Sequence, residues 1–200
     1  MKRFNFQLFV CLIVILSSTT LHAQKKLRFG FKGGVVYSSF YGDHLKNVKA
    51  KVGYQAGFLA EYRISEKFAI QPEVIYSLEG VKTDGDVDMD INSHYANIPL
   101  MLKYYLTDKI NIQAGPQIGF IILGAQKTKR EDIDVTGHFK DAKFDFNFGA
   151  GYELTEKLSL DLRYTLGVTD AMYSSVYQFG SGIEGEARSS NFQLGMSLMF

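Results

Sequence analysis

The sequence predicts an eight-stranded antiparallel up-and-down β-barrel that crosses a membrane, with short periplasmic turns and four longer extracellular loops. Three observations predict it. Apolar and polar residues alternate with period two in segment after segment. A short polar turn recurs three times behind a tyrosine. The connections between those repeats are longer and polar.

The first residues read as a targeting signal. Lys2 and Arg3 form a positive n-region, and Leu8–Leu16 an apolar run too short to cross a bilayer as a helix. "SSTTLHAQ" then offers cleavage after Ala23, which makes 1–23 a signal peptide and 24–200 the barrel domain. Cys11, the only cysteine, lies in the signal, so the mature chain has no thiol chemistry. The formal net charge of +1 becomes −1 once Lys2 and Arg3 are removed, and such a balance gives no reason to expect nucleic acid.

The elements follow in order. "LRFGFKGGVVY" from Leu27 alternates, and a connection covers about 39–51. Val52–Ile64 and Phe68–Glu79 alternate more weakly around "SEK". After a connection at about 80–94 comes Tyr95–Leu106, then "TDK", then "INIQAGPQIGF" from Ile110. A long connection at about 123–143 leads to Phe144–Leu154, with Phe144, Phe146, Phe148, Ala150, Tyr152 and Leu154 on one face. "TEK" joins it to Leu158–Thr169, where Leu158, Leu160, Leu162, Tyr164, Leu166 and Val168 alternate with polar residues. A last connection at about 170–190 precedes Asn191–Phe200. The eight candidate strands have ten to thirteen residues, enough for tilted transmembrane strands of about 9–11. Tyr62, Tyr104 and Tyr152 stand where an interfacial aromatic girdle belongs.

The same alternation would suit a soluble lipocalin-like barrel with its apolar face inward. Glycine decides the phase. Gly30, Gly34, Gly53, Gly57, Gly115, Gly119, Gly149, Gly151, Gly167 and Gly195 all share the polar face. A solvated outer face has no steric need of glycine, whereas a narrow lumen does. The polar face therefore points inward and the apolar face meets lipid. Phe200 ends the last strand on the apolar face, the ending that outer-membrane assembly machinery recognises. Pro72, Pro99 and Pro116 fall inside strands, where bulges and a slip in phase are expected.

"QPEVIYS" (Gln71–Ser77), "NIPLMLKYYL" (Asn97–Leu106) and "QAGPQIGFIILGA" (Gln113–Ala125) resemble the signature segments of the PorT-like outer-membrane β-barrel family of Bacteroidota. The resemblance covers essentially the whole mature chain and implies an integral protein of the cell outer membrane. These segments encode barrel structure and not chemistry, and nothing in the sequence distinguishes PorT, with its secretion-related role, from the other members of the family.

In this phase the lumen receives Arg28, Lys32, Arg63, Lys103 and Arg163, with Glu61, Glu73, Glu79, Asp145, Glu153 and Asp161. Eight strands leave an interior only just wide enough for side chains, so these charges are expected to pair and fill it. A wet lumen would instead tolerate an arginine at Thr165 better than the lipid face would at Leu162.

Other chemistry is thin. His44, His94 and His138 fall in loops or their margins and read as solvated polar residues. Asp84, Asp86, Asp88 and Asp90 alternate with Val87, Met89 and Ile91, which reads as an acidic strand extension; it lacks the glycine and closing glutamate of an EF-hand. "QKTKRED" (Gln126–Asp132) reads as a solvated loop, with contact to anionic lipopolysaccharide as the sharper reading. No cofactor, metal site or catalytic set is expected. The leading expectation is a monomeric structural or interaction barrel with a closed, charge-filled lumen. Its expected partners are outer-membrane lipid and lipopolysaccharide, the barrel assembly machinery, and envelope proteins. A narrow porin-like channel is the alternative, and an outer-membrane enzyme using loop histidines comes third.

Overall fold

A computed structural model of the chain describes residues 26–41, 48–83, 89–127, 132–172 and 187–200. Residues 1–23, His44, Asp84, Asp86 and Asp88 lie outside the described residues. Eight long strands close on themselves: β1 (Leu27–Tyr41), β2 (Val48–Arg63), β3 (Phe68–Thr83), β4 (Met89–Tyr105), β5 (Ile110–Lys127), β7 (Ala142–Glu153), β8 (Leu158–Asp170) and β9 (Arg188–Met199). A three-residue β6 (Asp132–Asp134) pairs only with the end of β5. Each long strand pairs antiparallel with its neighbours, β1 with β9 and β4 with β5, so the sheet has no open edge. The fold is thus an all-β, closed, eight-stranded antiparallel barrel.

The three repeated turns share one device. The hydroxyl oxygens of Ser65, Thr107 and Thr155 each accept backbone N–H bonds from the residues two and three positions on, at 3.0–3.3 Å. Each turn is closed by Ile64, Leu106 or Leu154 donating to the carbonyl of Phe68, Ile110 or Leu158 at 2.8–2.9 Å. A Ser or Thr at this place satisfies N–H groups that the ladder leaves free.

The phase is apolar outward. Phe29, Phe31, Tyr54, Phe58, Val74, Leu162, Phe192 and Leu194 are about half exposed, while Glu73, Asp145, Thr165 and Arg163 on the alternate positions are buried. Tyr62 and Tyr152 are exposed at the turn end, and Tyr104 packs its ring 5.0 Å from that of Phe68. The lumen-facing glycines make room for its contents. A Cβ on Gly195 would stand 2.7 Å from Lys32 Cε and 2.9 Å from Asp161 Oδ2, so both side chains would have to shift to keep their contact.

The prolines do not cause bulges. The register between β3 and β4 is unbroken past Pro72 and Pro99, and that between β5 and β7 past Pro116. Instead one ladder lapses beside each proline: β2–β3 at Pro72, β3–β4 at Pro99 and β4–β5 at Pro116, with register kept on both sides. The missing N–H removes a rung without adding a residue. The observed shifts lie elsewhere. β2 carries an extra residue between Ala50 and Gln55, and β5 carries one at Ile122, opposite the step from His94 to Tyr95. Ile122 and Leu123 are therefore both exposed.

The strands are also longer than expected, at 12 to 18 residues, and climb into the predicted loops. The connection expected at 80–94 is reduced to 84–88, because β3 runs to Thr83 and β4 begins at Met89.

Candidate functional site

The lumen is the candidate site, and its side chains lie in layers. Nearest the turns, Glu61 is the hub. Arg28 Nη2 donates to its Oε1 at 2.5 Å, Lys103 Nζ to its Oε2 at 2.9 Å and the Tyr105 hydroxyl to its Oε2 at 3.0 Å. Arg63 Nε lies 3.4 Å from Glu61, and its guanidinium covers the Tyr105 ring at 4.1 Å. Glu153 accepts a longer bond from Tyr105, at 3.3 Å. A cavity of about 640 Å³ opens at this end, lined by Arg28, Arg63, Asp108, Lys109, Glu153 and Glu156 among others.

The middle layer centres on Glu73. Arg163 holds it with two nitrogens, at 2.9 and 2.6 Å, in fork-on-fork geometry. Arg163 also donates to Gln113 Oε1 at 2.9 Å and lies 3.5 Å from Asp161. Lys32 Nζ donates to Asp161 at 2.8 Å and stands 3.9 Å from Glu73. Buried charges of this kind persist only when paired, and here each carboxylate faces two cations.

Above lies a layer that the sequence reading did not assemble. Lys143 Nζ donates to Glu79 at 2.7 Å and Ser189 at 3.0 Å, sits 3.6 Å from Asp145 and stands over the Tyr95 ring at 4.0 Å. Lys143 belongs to the connection expected at about 123–143, but β7 begins at Ala142, and Lys143, Phe144 and Asp145 continue its in-out alternation. Polar side chains complete the section: Gln117 to Asp145, Asn147 to Gln117, Thr165 to Asn147 and Gln193 to Thr165, at 2.5–3.1 Å.

The loop end is capped by apolar packing. Phe40, Val81, Ile91, Tyr95, Val135, Phe139, Ala171, Met172 and Ala187 form one buried cluster. Phe139 follows a single 3-10 turn, Thr136–His138, and is the plug. Its ring stands edge-on to Tyr95 at 6.5 Å, and its backbone bridges to Met172. Gly124 leaves space for it, since a Cβ there would lie 2.7 Å from the Phe139 ring. Thr136 anchors the turn: Gly124 N–H donates to its Oγ1 at 2.8 Å, and its own N–H and hydroxyl donate to Asp134. Those two bonds hold the exposed Asp134 carboxyl below the usual carboxylate range.

The remaining candidates stand apart. His94 faces outward and its Nδ1 lies 2.5 Å from the Tyr76 hydroxyl. His138 lies on the plug turn, with Nδ1 3.3 Å from the Val135 carbonyl. Among the described residues no three His, Cys, Asp or Glu side chains converge on a metal position. Phe200 is outward and exposed, its ring 5.5 Å from Phe31, and its N–H donates to the Phe29 carbonyl at 2.9 Å.

A closed barrel with a lipid-facing apolar band and a polar interior defines a small outer-membrane β-barrel protein. The chain belongs to the family described as "outer membrane protein beta-barrel domain", whose model matches residues 22–173. Comparison with curated proteins returned no match. Among solved structures, the chain is similar to Neisserial surface protein A, at 13% identity and TM-score 0.57, over 86% of this chain and 97% of that one. It is also similar to the attachment invasion locus protein Ail of Yersinia pestis, in complex with the heparin analogue sucrose octasulfate. That match has 11% identity and TM-score 0.52, over 88% of this chain and 99% of the other. At these identities the likeness concerns the fold. The protein resides in the outer membrane.

Proposed function

We propose that this barrel is a non-conducting, non-enzymatic structural or interaction protein that displays its loop end to partners in the envelope. The observation that carries the reading is the stacking of seals along one bore. Paired charges centred on Glu61, Glu73 and Lys143 occupy its section, and the Phe139 cluster lies across its mouth. The turn-end cavity then serves as a blind vestibule and not as a pore entrance. Phe200, exposed beside Phe31, acts as the assembly signal in this reading, and the three segments around Pro72, Pro99 and Pro116 support the finer likeness to the PorT-like group.

The test is conductance. Purified barrel in planar bilayers is expected to give no stable single-channel steps. Steady large conductance from the unmutated protein would move its function to the channel class.

A further inference from the structure

The turn-end cavity holds two charges that the lumen network leaves unfinished. Glu153, the last residue of β7, lines the cavity yet is only 7% exposed. Among the described residues its carboxylate forms no ion pair. Its one side-chain partner is the Tyr105 hydroxyl, which has a single proton and stands closer to Glu61, at 3.0 Å, than to Glu153, at 3.3 Å. A carboxylate so deeply buried is costly without a compensating cation.

Arg63 is the complementary case. Its Nε reaches Glu61 at 3.4 Å, and its guanidinium lies flat over the Tyr105 ring at 4.1 Å. Among the described residues neither of its Nη groups makes a hydrogen bond. Stacking therefore holds a fork that fits a carboxylate, and the fork is unfilled. Arg28 differs, because Glu61 takes its Nη2 at 2.5 Å and the Glu156 carbonyl takes its Nη1 at 3.0 Å. Asp108, Lys109 and Glu156 also line the cavity but are exposed at its rim, where water screens them. A buried anion and a stacked cation thus share one tyrosine and one cavity without pairing with each other.

We infer that this vestibule binds a small zwitterion, the ammonium and carboxylate of an α-amino-acid group. A lone cation would satisfy Glu153 but face Arg63, and a lone anion would do the reverse. A group carrying both charges on one carbon satisfies both at once: its ammonium donates to Glu153 and its carboxylate accepts from the Arg63 fork. The cavity, at about 640 Å³, has the size of a small-molecule site. The turn end of an outer-membrane barrel faces the periplasm, so the group would come from a free amino acid or from the free end of a diamino acid in a cell-wall peptide. The site lies on the turn side of the Glu61 layer and stands whether or not the bore conducts. Conductance and binding therefore fail independently.

The experiment is an NMR titration of the folded barrel in phosphatidylcholine nanodiscs. The probes are L-alanine, propionate, ethylamine and a cell-wall tripeptide ending in meso-diaminopimelate. Alanine is expected to bind about tenfold or more tightly than propionate or ethylamine, the scale of one charge-assisted hydrogen bond. E153Q should weaken alanine to the level of propionate, because the ammonium is no longer read. R63Q should weaken it to the level of ethylamine, because the carboxylate is no longer read. R63K keeps a cation over Tyr105 and should fold even if R63Q does not, with a several-fold loss for alanine. K67Q, on a turn outside the cavity, should bind as the unmutated protein does. Tighter binding of the tripeptide than of alanine supports the site and makes the cell-wall peptide the source; the reverse supports it with a free amino acid. Equal affinity for the three small probes overturns the inference, as does a loss in E153Q and R63Q that is the same for every probe. Failure of both alanine and the tripeptide to bind also overturns it.

Discussion

Leu162 and Thr165 show how far single residues obey the alternation. Leu162 is 58% exposed on the lipid face near the middle of β8. Its replacement by arginine should cost about 2–4 kcal/mol if the site lies at the bilayer midplane. Thr165 faces the lumen and is fully buried: it donates to Asn147 Oδ1 at 2.5 Å and accepts from Gln193 Nε2 at 2.8 Å. An arginine at Thr165 would have to displace these packed amides. Thr165→Val should itself cost about 1–3 kcal/mol, because it leaves both amides short of a partner. Urea refolding of the two variants in lipid vesicles checks both values; a harmless L162R would mean that the face has been misread. The alternation made the inward and outward sets readable from sequence, since a two-residue period admits only two phases. It could not show which inward residues touch. Glu73 and Arg163 are ninety positions apart, and only barrel closure brings them to 2.6 Å.

Among elements, the transmembrane strands and their short turns were legible, because each turn carries its own hydroxyl acceptor within three residues. The loop-end plug was not. Phe40, Ile91, Phe139, Met172 and Ala187 come from separate connections or strand ends and show no common period. Their cluster exists only because β5 and β7 bring the Thr136–His138 turn back over the bore. The bulges were equally silent, since Ile122 and Leu123 look like any apolar pair; the prolines, which did look like bulge signals, remove rungs instead. The plug makes a distinct prediction. Phe139→Ala deletes a buried ring at about 3–5 kcal/mol, which should raise the open population of the β5–β7 connection at least about a hundredfold. Limited proteolysis should then cut that connection faster while the barrel stays folded. Because the charged layers lie below, bilayer conductance should remain absent. Unchanged proteolysis would mean that Phe139 does not hold the plug shut.

At the scale of the whole barrel, what matters is redundancy among charges. With Lys143 added, the inward groups named above number six cations (Arg28, Lys32, Arg63, Lys103, Lys143, Arg163) and six carboxylates (Glu61, Glu73, Glu79, Asp145, Glu153, Asp161). The contacts are shared unevenly. If Lys103 becomes glutamine, Glu61 keeps Arg28 at 2.5 Å, Arg63 at 3.4 Å and the Tyr105 hydroxyl. If Arg163 becomes glutamine, Glu73 loses two short bonds and keeps only Lys32 at 3.9 Å and the amide of Gln71. Removing one partner of a buried pair costs about 3–5 kcal/mol when the remaining charge has no substitute, and much less when it has. Arg163→Gln should therefore lower stability by about 3 kcal/mol or more, and Lys103→Gln by about 1 kcal/mol. The two should add closely in the double variant, because they serve different carboxylates. The measurement is the urea midpoint of the folded band on unheated gels, since a closed barrel runs differently before and after its hydrogen-bond ladder melts. Equal losses for the two single variants would contradict the layered arrangement. So would a stable channel opened by Arg163→Gln alone, because the Glu61 layer and the Phe139 plug should still close the bore on either side.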